Sequence, residues 1–328
     1  MKSAFRRRGS VLIVVLFVSV VLSLLAVSLA YRSALVLRAS RQRAIMVKLQ
    51  SQADSVAAIA MSRIIENKAD FDHPAQSWHT HGPLASENWI NDWTAEDGGE
   101  PPQFTADYRI NDEEGKLHIL RASSDALQKL SMTDDQIACL FDYMDDDDYS
   151  HPDGAENGYY QSLVPPRRCK NAPLETLDEL LSIKGFGPAD YWGRWDGGDD
   201  QFVGWVNVLT CLGAGRININ TAPRAVLTTL GISDGGVDQV NAFRQFDAFS
   251  SGQIEEHAFR SLQDIEQLQG LSDTDRHMLA GKVTFKSEYF RIMVMTRHPP
   301  TGLRCNVDML VRRHDEKVDV LQRRRSSW

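Results

Sequence analysis

The sequence predicts an α+β protein. A long N-terminal helix packs on a small antiparallel sheet, and a large α-helical domain with helix-hairpin-helix-like turns is inserted into that sheet. Three observations carry this prediction. From Tyr31 to Asn67 the chain has no Pro or Gly and repeats apolar residues at helical spacing. Strand-like alternation occurs only near residues 104–122 and 289–312. Between those segments the pattern is helical, punctuated by Leu-Gly turns.

The first element opens with the basic leader "MKSAFRRRG". An uncharged apolar run follows from Ser10 to Ala30. About 20 residues at ~1.5 Å each just span a hydrocarbon core of ~30 Å. A secretory signal has a shorter apolar core, of ~7–15 residues, and a small-x-small cleavage site. Here the pattern instead runs on as helix through Leu35, Ile45, Leu49, Val56, Ile59, Ile64 and Ile65. The expected organisation is a leader over 1–9, a helix over 10–68 with its membrane span at 10–31, and a first sheet segment over 69–122. A helical domain over 123–282, strands over 283–313 and a charged, poorly ordered tail over 314–328 complete it.

Residues 69–103 read as connection, and His79 and His81 as exposed loop histidines. "FTADYRINDEEGKLHILRA" predicts a hairpin turning at Asp112 to Gly115. A second hairpin is predicted from Tyr289–Arg297 and Leu303–Arg312, joined by "HPPTG". Inside the helical block, "LSIKGFGPADYW" has the glycine turn of a helix-hairpin-helix, with Pro188 opening the next helix. In "RININTAPRAVLTTLGIS", Asn220 or Thr221 is expected to cap a helix starting near Pro223, with Leu227 and Leu230 inward and Gly231 as its stop. "SLQDIEQLQGLSDTDRHMLA" repeats the theme around Gly270.

Composition narrows the function. The net charge of −8 over 328 residues opposes a general nucleic-acid surface. Cys139, Cys169, Cys211 and Cys305 form no CxxC pair, so they read as buried thiols or as disulfides of an oxidising compartment. No GxSxG or HExxH motif points to a hydrolase, and the chain is expected not to be an enzyme.

The Gly9 leader followed by an unbroken helix resembles the signal of type IV pilins and pseudopilins. "INDEEGKLHI", "FDYMDDDDYSHPDGAENGYY", "PLETLDELLSIKGFG" and "ININTAPRAVL" extend that likeness over nearly the full length. Together they resemble the K-type minor pseudopilin of the bacterial type II, or general, secretion pathway. The resemblance implies cleavage by a prepilin peptidase between Gly9 and Ser10 and retention of the helix as an inner-membrane anchor. It implies a pilin-like head in the periplasm, at the tip of a short fibre. I- and J-type minor pseudopilins, the H-type, and the inner-membrane secretion platform are the implied partners. Val14 stands at the fifth mature position, where most pilins carry Glu; this is usual for the K type.

Residues 142–156 hold seven carboxylates. A solvated face is the usual fate of such a run. This one has Gly154 as a turn and is bracketed by Phe141, Tyr143, Met144, Tyr159 and Tyr160. Hard oxygen ligands on a flexible loop suit Ca²⁺, with 6–8 oxygens at ~2.3–2.6 Å, better than Mg²⁺; the EF-hand spacing is absent. The resemblance also implies calcium here. The expected ligands are Asp145, Asp147, Asp153 and Glu156, then Asp142 and Asp148, around a structural ion. The alternative function is a membrane-anchored helix-hairpin-helix DNA-binding protein of competence or type IV pilus machinery, resting on Gly185 to Gly187.

Overall fold

A computed structural model describes residues 8–79, 82–83, 104–194, 202–245 and 257–327. His81 and the leader ahead of Arg8 lie outside the described residues.

Helix α1 runs 59 residues, Arg8–Glu66. Its stretch from Val11 to about Ala44 is exposed on all sides, and Val11–Tyr31 is apolar enough to cross a membrane. Beyond it, Leu49, Ala53, Val56, Ala57, Ala60 and Ile64 form one buried stripe. Their spacing is helical, and three alanines let the helix axis approach the sheet. Fully burying a side chain such as Leu49 or Ile64 stabilises the head by about 1.5–3 kcal/mol.

Among the described residues the sheet has five strands, in the order β1-β2-β9-β10-β11. These are β1 (Gly82–Pro83), β2 (Thr105–Asp112), β9 (Tyr289–His298), β10 (Leu303–His314) and β11 (Lys317–Ser327). All neighbouring pairs are antiparallel. Ala106, Tyr108, Ile110, Phe290, Ile292, Val294, Val307, Met309 and Val311 form the inward rows, packed on α1 with Trp78. The alternation on β9 and β10 has period two, as half-buried strands require, and the predicted β9–β10 hairpin is present.

Between β2 and β9 lies a second, separate core. Its helices are α2 (Ser124–Lys129), α3 (Asp134–Met144), α4 (Asn157–Gln161), α5 (Pro188–Trp192), α6 (Arg224–Thr229), α7 (Asp234–Arg244), α8 (Leu262–Gln267) and α9 (Asp273–Leu279). Short strands β3 (Leu117–His118) and β6 (Leu209–Thr210) pair in parallel, as do β7 (Ile217–Asn218) and β8 (Val283–Thr284); β4 (Gly193–Arg194) and β5 (Phe202–Val203) pair antiparallel. This core takes in Ile119 and Val283, so the domain junctions fall at Asp112 and Ser287.

A buried polar knot closes the junction. Arg313 donates to both carboxylate oxygens of Asp72, at 3.1 and 2.5 Å, and to the carbonyls of Ile64 and Ser287. Asp112 accepts from Thr221, Ser287 and Asn218 at 2.6, 2.6 and 3.0 Å.

Three expectations are corrected. The predicted 104–122 hairpin does not form: β2 pairs with β1 and β9, and residues 117–118 join β6 instead. The side-chain bonds to Asp112 and the buried Lys116–Glu113 ion pair (2.6 Å) divert the chain into the inserted domain. The charged tail is not loose; it forms β11, with Arg323 and Arg325 paired to Asp54 of α1. Neither Asn220 nor Thr221 caps α6, whose cap position is Pro223. Asn220 instead exchanges hydrogen bonds with the backbone of Phe259, and Thr221 serves Asp112. The four cysteines are free thiols, with Cys139, Cys169 and Cys305 buried.

Candidate cation site

Helix α3 starts at a capping box, in which Thr133 and Gln136 satisfy each other's backbone N–H. It delivers Asp142 on its last turn, fully buried. That carboxylate accepts from Ala155 N at 2.7 Å, from His151 N at 3.2 Å and from the Ser150 hydroxyl at 3.1 Å. The His151 ring stands 2.5 Å from it. This contact raises the His151 pKa above its ordinary value. A Cβ on Gly154 would lie 1.9 Å from Asp142 Oδ2, so only glycine lets the loop close over this carboxylate. Asp142 is therefore the pin of the loop, its oxygens already engaged by protein donors.

The other carboxylates divide. One oxygen each of Asp145, Asp147 and Glu156 lie within 4.8 Å of one another. Glu156 is 6% exposed, and neither of its oxygens receives a hydrogen bond; Oδ1 of Asp145 is equally buried and unserved. Burial, then the neighbouring Asp145 and Asp142 charges, raises the Glu156 pKa; burial, then Asp147 and Asp142, does the same for Asp145. A buried carboxylate without a donor is costly as an anion unless a cation meets it. Asn171 adds a fourth orphan, a buried side-chain oxygen, while its amide donates to the Asp147 carbonyl at 2.7 Å. The oxygens of Asp145, Asp147 and Glu156 are hard ligands at spacings a ~2.3–2.6 Å coordination shell allows, which is the chemistry of Ca²⁺. The residues present fit that ion.

Asp153 and Asp148 stand apart from this group. Asp148 accepts from Asn157 at 2.7 Å. Asp153, at positive φ, contributes its backbone: its carbonyl accepts from Lys184 and from the Cys139 thiol. Sequence reasoning missed His151 and Asn171. Asn171 lies well beyond the acidic run, and no local spacing marks it.

The helix-hairpin-helix turn is drawn into the same site. Gly185 holds φ +83°, and its carbonyl accepts from Gln136 at 2.8 Å. The backbone N–H of Lys184 donates to Tyr160 Oη, and its ammonium to the carbonyls of Asp153 and Gly154. The backbone donors that would face a DNA phosphate in such a turn include the Lys184 N–H, already spent on Tyr160.

An N-terminal apolar helix lying on an antiparallel sheet, with a helical domain inserted before the last strands, is a pilin-like fold. Residues 111–192, which hold the acidic loop and the glycine turn, match the family described as type II secretion system (T2SS), protein K. A protein of Escherichia coli strain K12 named as a type II secretion system protein K is 43% identical over 53 residues. That alignment spans 16% of this chain and 16% of the relative. In fold, the chain is similar to one in the crystal structure of the GspK-GspI-GspJ complex of the enterotoxigenic Escherichia coli type 2 secretion system. The TM-score is 0.56 at 16% identity, over 88% of this chain and 98% of that one. Over residues 111–192 the chain is thus similar to the K proteins of type II secretion, and over most of its length it shares the fold of a chain in that complex.

Proposed function

We propose that the chain is a minor pseudopilin, a structural and not a catalytic subunit, at the tip of a periplasmic pseudopilus where it helps initiate assembly and protein export. The observation that carries this is α1: bare and apolar over its first half, then continuous with the core of the head. Such a helix anchors the subunit in the inner membrane and afterwards bundles with other subunits. The complex named for the similar solved structure supports I- and J-type subunits as its partners; the H-type, the prepilin peptidase and the inner-membrane platform extend the same reading. Cleavage after Gly9 would leave Ser10 as the mature N-terminus.

The tip position follows from two features. In a bundle of apolar helices an unpaired charge is costly. With Val14 at the fifth mature position, this subunit offers no carboxylate to the terminal amine of a subunit ahead. The inserted domain is also bulky enough to obstruct a head stacked above it. Site-specific crosslinking from α1 in a reconstituted fibre tests this. Single-copy crosslinks to other pseudopilins are expected, whereas abundant crosslinks between copies of this chain would place it in the shaft and end the tip reading.

Calcium is proposed as the structural ion, held by Asp145, Asp147 and Glu156 with the Asn171 oxygen beside them. It would pin the self-repelling loop to α3 and to the glycine turn.

A further inference from the structure

The exposed part of α1 between the apolar span and the head carries Arg32, Arg38, Arg41 and Arg43. The first carboxylate of the helix is Asp54, already paired with Arg323 and Arg325. None of the four arginines pairs with a carboxylate among the described residues. The bare stretch also exposes Leu35, Val36 and Leu37. It is thus cationic, partly apolar and uncovered by the described residues of its own chain.

Two surroundings could meet these charges, and helix geometry separates them. The apolar span ends at Tyr31, an aromatic residue suited to the membrane interface. At ~1.5 Å per residue, Arg38 stands about 9 Å beyond Arg32, Arg41 about 14 Å and Arg43 about 17 Å. The headgroup layer is only ~5–7 Å deep on each side of the hydrocarbon. Arg32 reaches lipid phosphates, but Arg41 and Arg43 stand beyond them. Arg38 and Arg41, three residues apart, share one side of the helix, while Arg43 projects from the opposite side.

From this we infer that Arg38, Arg41 and Arg43 form an electrostatic collar that seats α1 between partner-subunit helices bearing Asp or Glu at the same height. The inference rests on the pseudopilin reading above and specifies the chemistry of its contact. Apolar contact through Leu35 to Leu37 holds the helices together, and the charges set their register, because rim charges steer and align more than they bind.

The test uses the full chain, co-expressed in membranes with the minor pseudopilins of its own secretion system, with a photo-crosslinker at Val36. Arg38→Glu/Arg41→Glu and Arg43→Glu are compared with the neutral Arg→Gln versions. A loss of roughly tenfold in crosslinked partner is expected for the double reversal, a smaller loss for the Gln variants, and weakening by salt. Lys at the facing partner carboxylates should restore capture. Membrane retention and head melting temperature should not change, since these residues lie outside both cores. Undiminished capture by the reversed chains overturns the collar while leaving the pseudopilin reading intact. So does a loss confined to binding of phosphatidylglycerol vesicles, which would make the arginines lipid contacts. If the unaltered chain captures no pseudopilin, the proposed function itself fails and the collar with it.

Discussion

Lys184 reaches across from the glycine turn to Asp153, its ammonium 3.2 Å from that residue's carbonyl and 3.0 Å from the carbonyl of Gly154. A turn type associated with DNA phosphate here grips an acidic loop of its own chain. Lys184 also lies 5.3 Å from the Tyr159 ring centroid, on the helix that follows the loop. Lys184→Met should therefore loosen the loop without abolishing the fold, costing about 1–2 kcal/mol, since hydrogen bonds from a half-buried ammonium are modest in net value. Urea unfolding of a fragment starting after Tyr31 would read this, and limited proteolysis should cut first within 145–153. Unchanged protease sensitivity would show that the turn does not hold the loop. The same fragment should show no salt-sensitive retention of duplex DNA.

The orphan oxygens of Glu156 and Asp145 make a sharper statement about cation binding. A ligand that binds only the folded state stabilises it by about 2.7 kcal/mol at a hundredfold excess over its Kd. Chelation should lower the melting temperature of the fragment, and added Ca²⁺ should restore it better than Mg²⁺. Glu156→Gln should abolish most of that response. Asp153→Asn should leave it nearly intact, because this residue serves through its carbonyl. Asp142→Asn should destabilise the loop with or without calcium, since it loosens the pin. An identical response from Asp153→Asn and Glu156→Gln would mean the ligand set is assigned wrongly.

Arg313 and Asp72 are both buried and bonded to each other. Removing one partner leaves an uncompensated buried charge, which costs about 3–5 kcal/mol. Arg313→Met and Asp72→Ala should each destabilise the head by that order, and the double variant should be less damaged than the sum of the two. Denaturant melts of the four proteins form the cycle. Additive losses would deny the coupling.

Stability should fall as pH rises from about 4.5 to 7. Burial raises the pKa of Glu114 to about 7, helped by the Asp112 and Glu288 charges, and burial raises Asp112 to about 6. An acid whose folded pKa is raised favours folding below its unfolded pKa, and that contribution is lost as pH climbs through the folded pKa. For Glu114 the change is of order 3 kcal/mol. Melting temperature should be followed from pH 4.5 to 8 at saturating Ca²⁺, to keep the acidic loop constant. Glu114→Gln should flatten the decline; an equally steep decline in that variant would remove Glu114 as its source.

Some of this was legible in the sequence because it is local. The unbroken helical repeat, the β9–β10 alternation and the acidic run all declare themselves within a few turns of chain. What stayed hidden depends on partners distant in sequence. The segment after Asp112 looks like the return strand of a hairpin. Its fate is decided by Thr221 and Ser287, which fold back onto Asp112. In the loop, Asp142 and Glu156 are the same chemistry on paper. Only the fold gives one a full set of donors and leaves the other bare.

The C-terminal strand is the strongest case, and it yields the last prediction. "HDEKVDVLQRRRSSW" reads as a solvated tail because its charges obscure any alternation. Yet β11 pairs with β10 from His314–Lys317 to Cys305–Ser327, shifting register between Leu310 and Val311. Asp54 on α1 receives both Arg323 and Arg325, and Arg324 pairs with Asp178 of the inserted domain, so the basic run is consumed by contacts with the rest of the head. Ending the chain after His314 would remove that clasp. It would also bare the edge of a long, central strand whose row includes Cys305, Val307 and Met309. An unprotected edge of that length is a template for pairing with another copy. The truncated head should melt lower and form oligomers at concentrations where the intact head is monomeric, measured by light scattering. Asp54→Ala should reproduce part of the melting loss without the oligomers, because it releases the clasp and keeps the strand. A truncated head that stays monomeric and equally stable would show that the strand is an ornament on the sheet and not its outer wall.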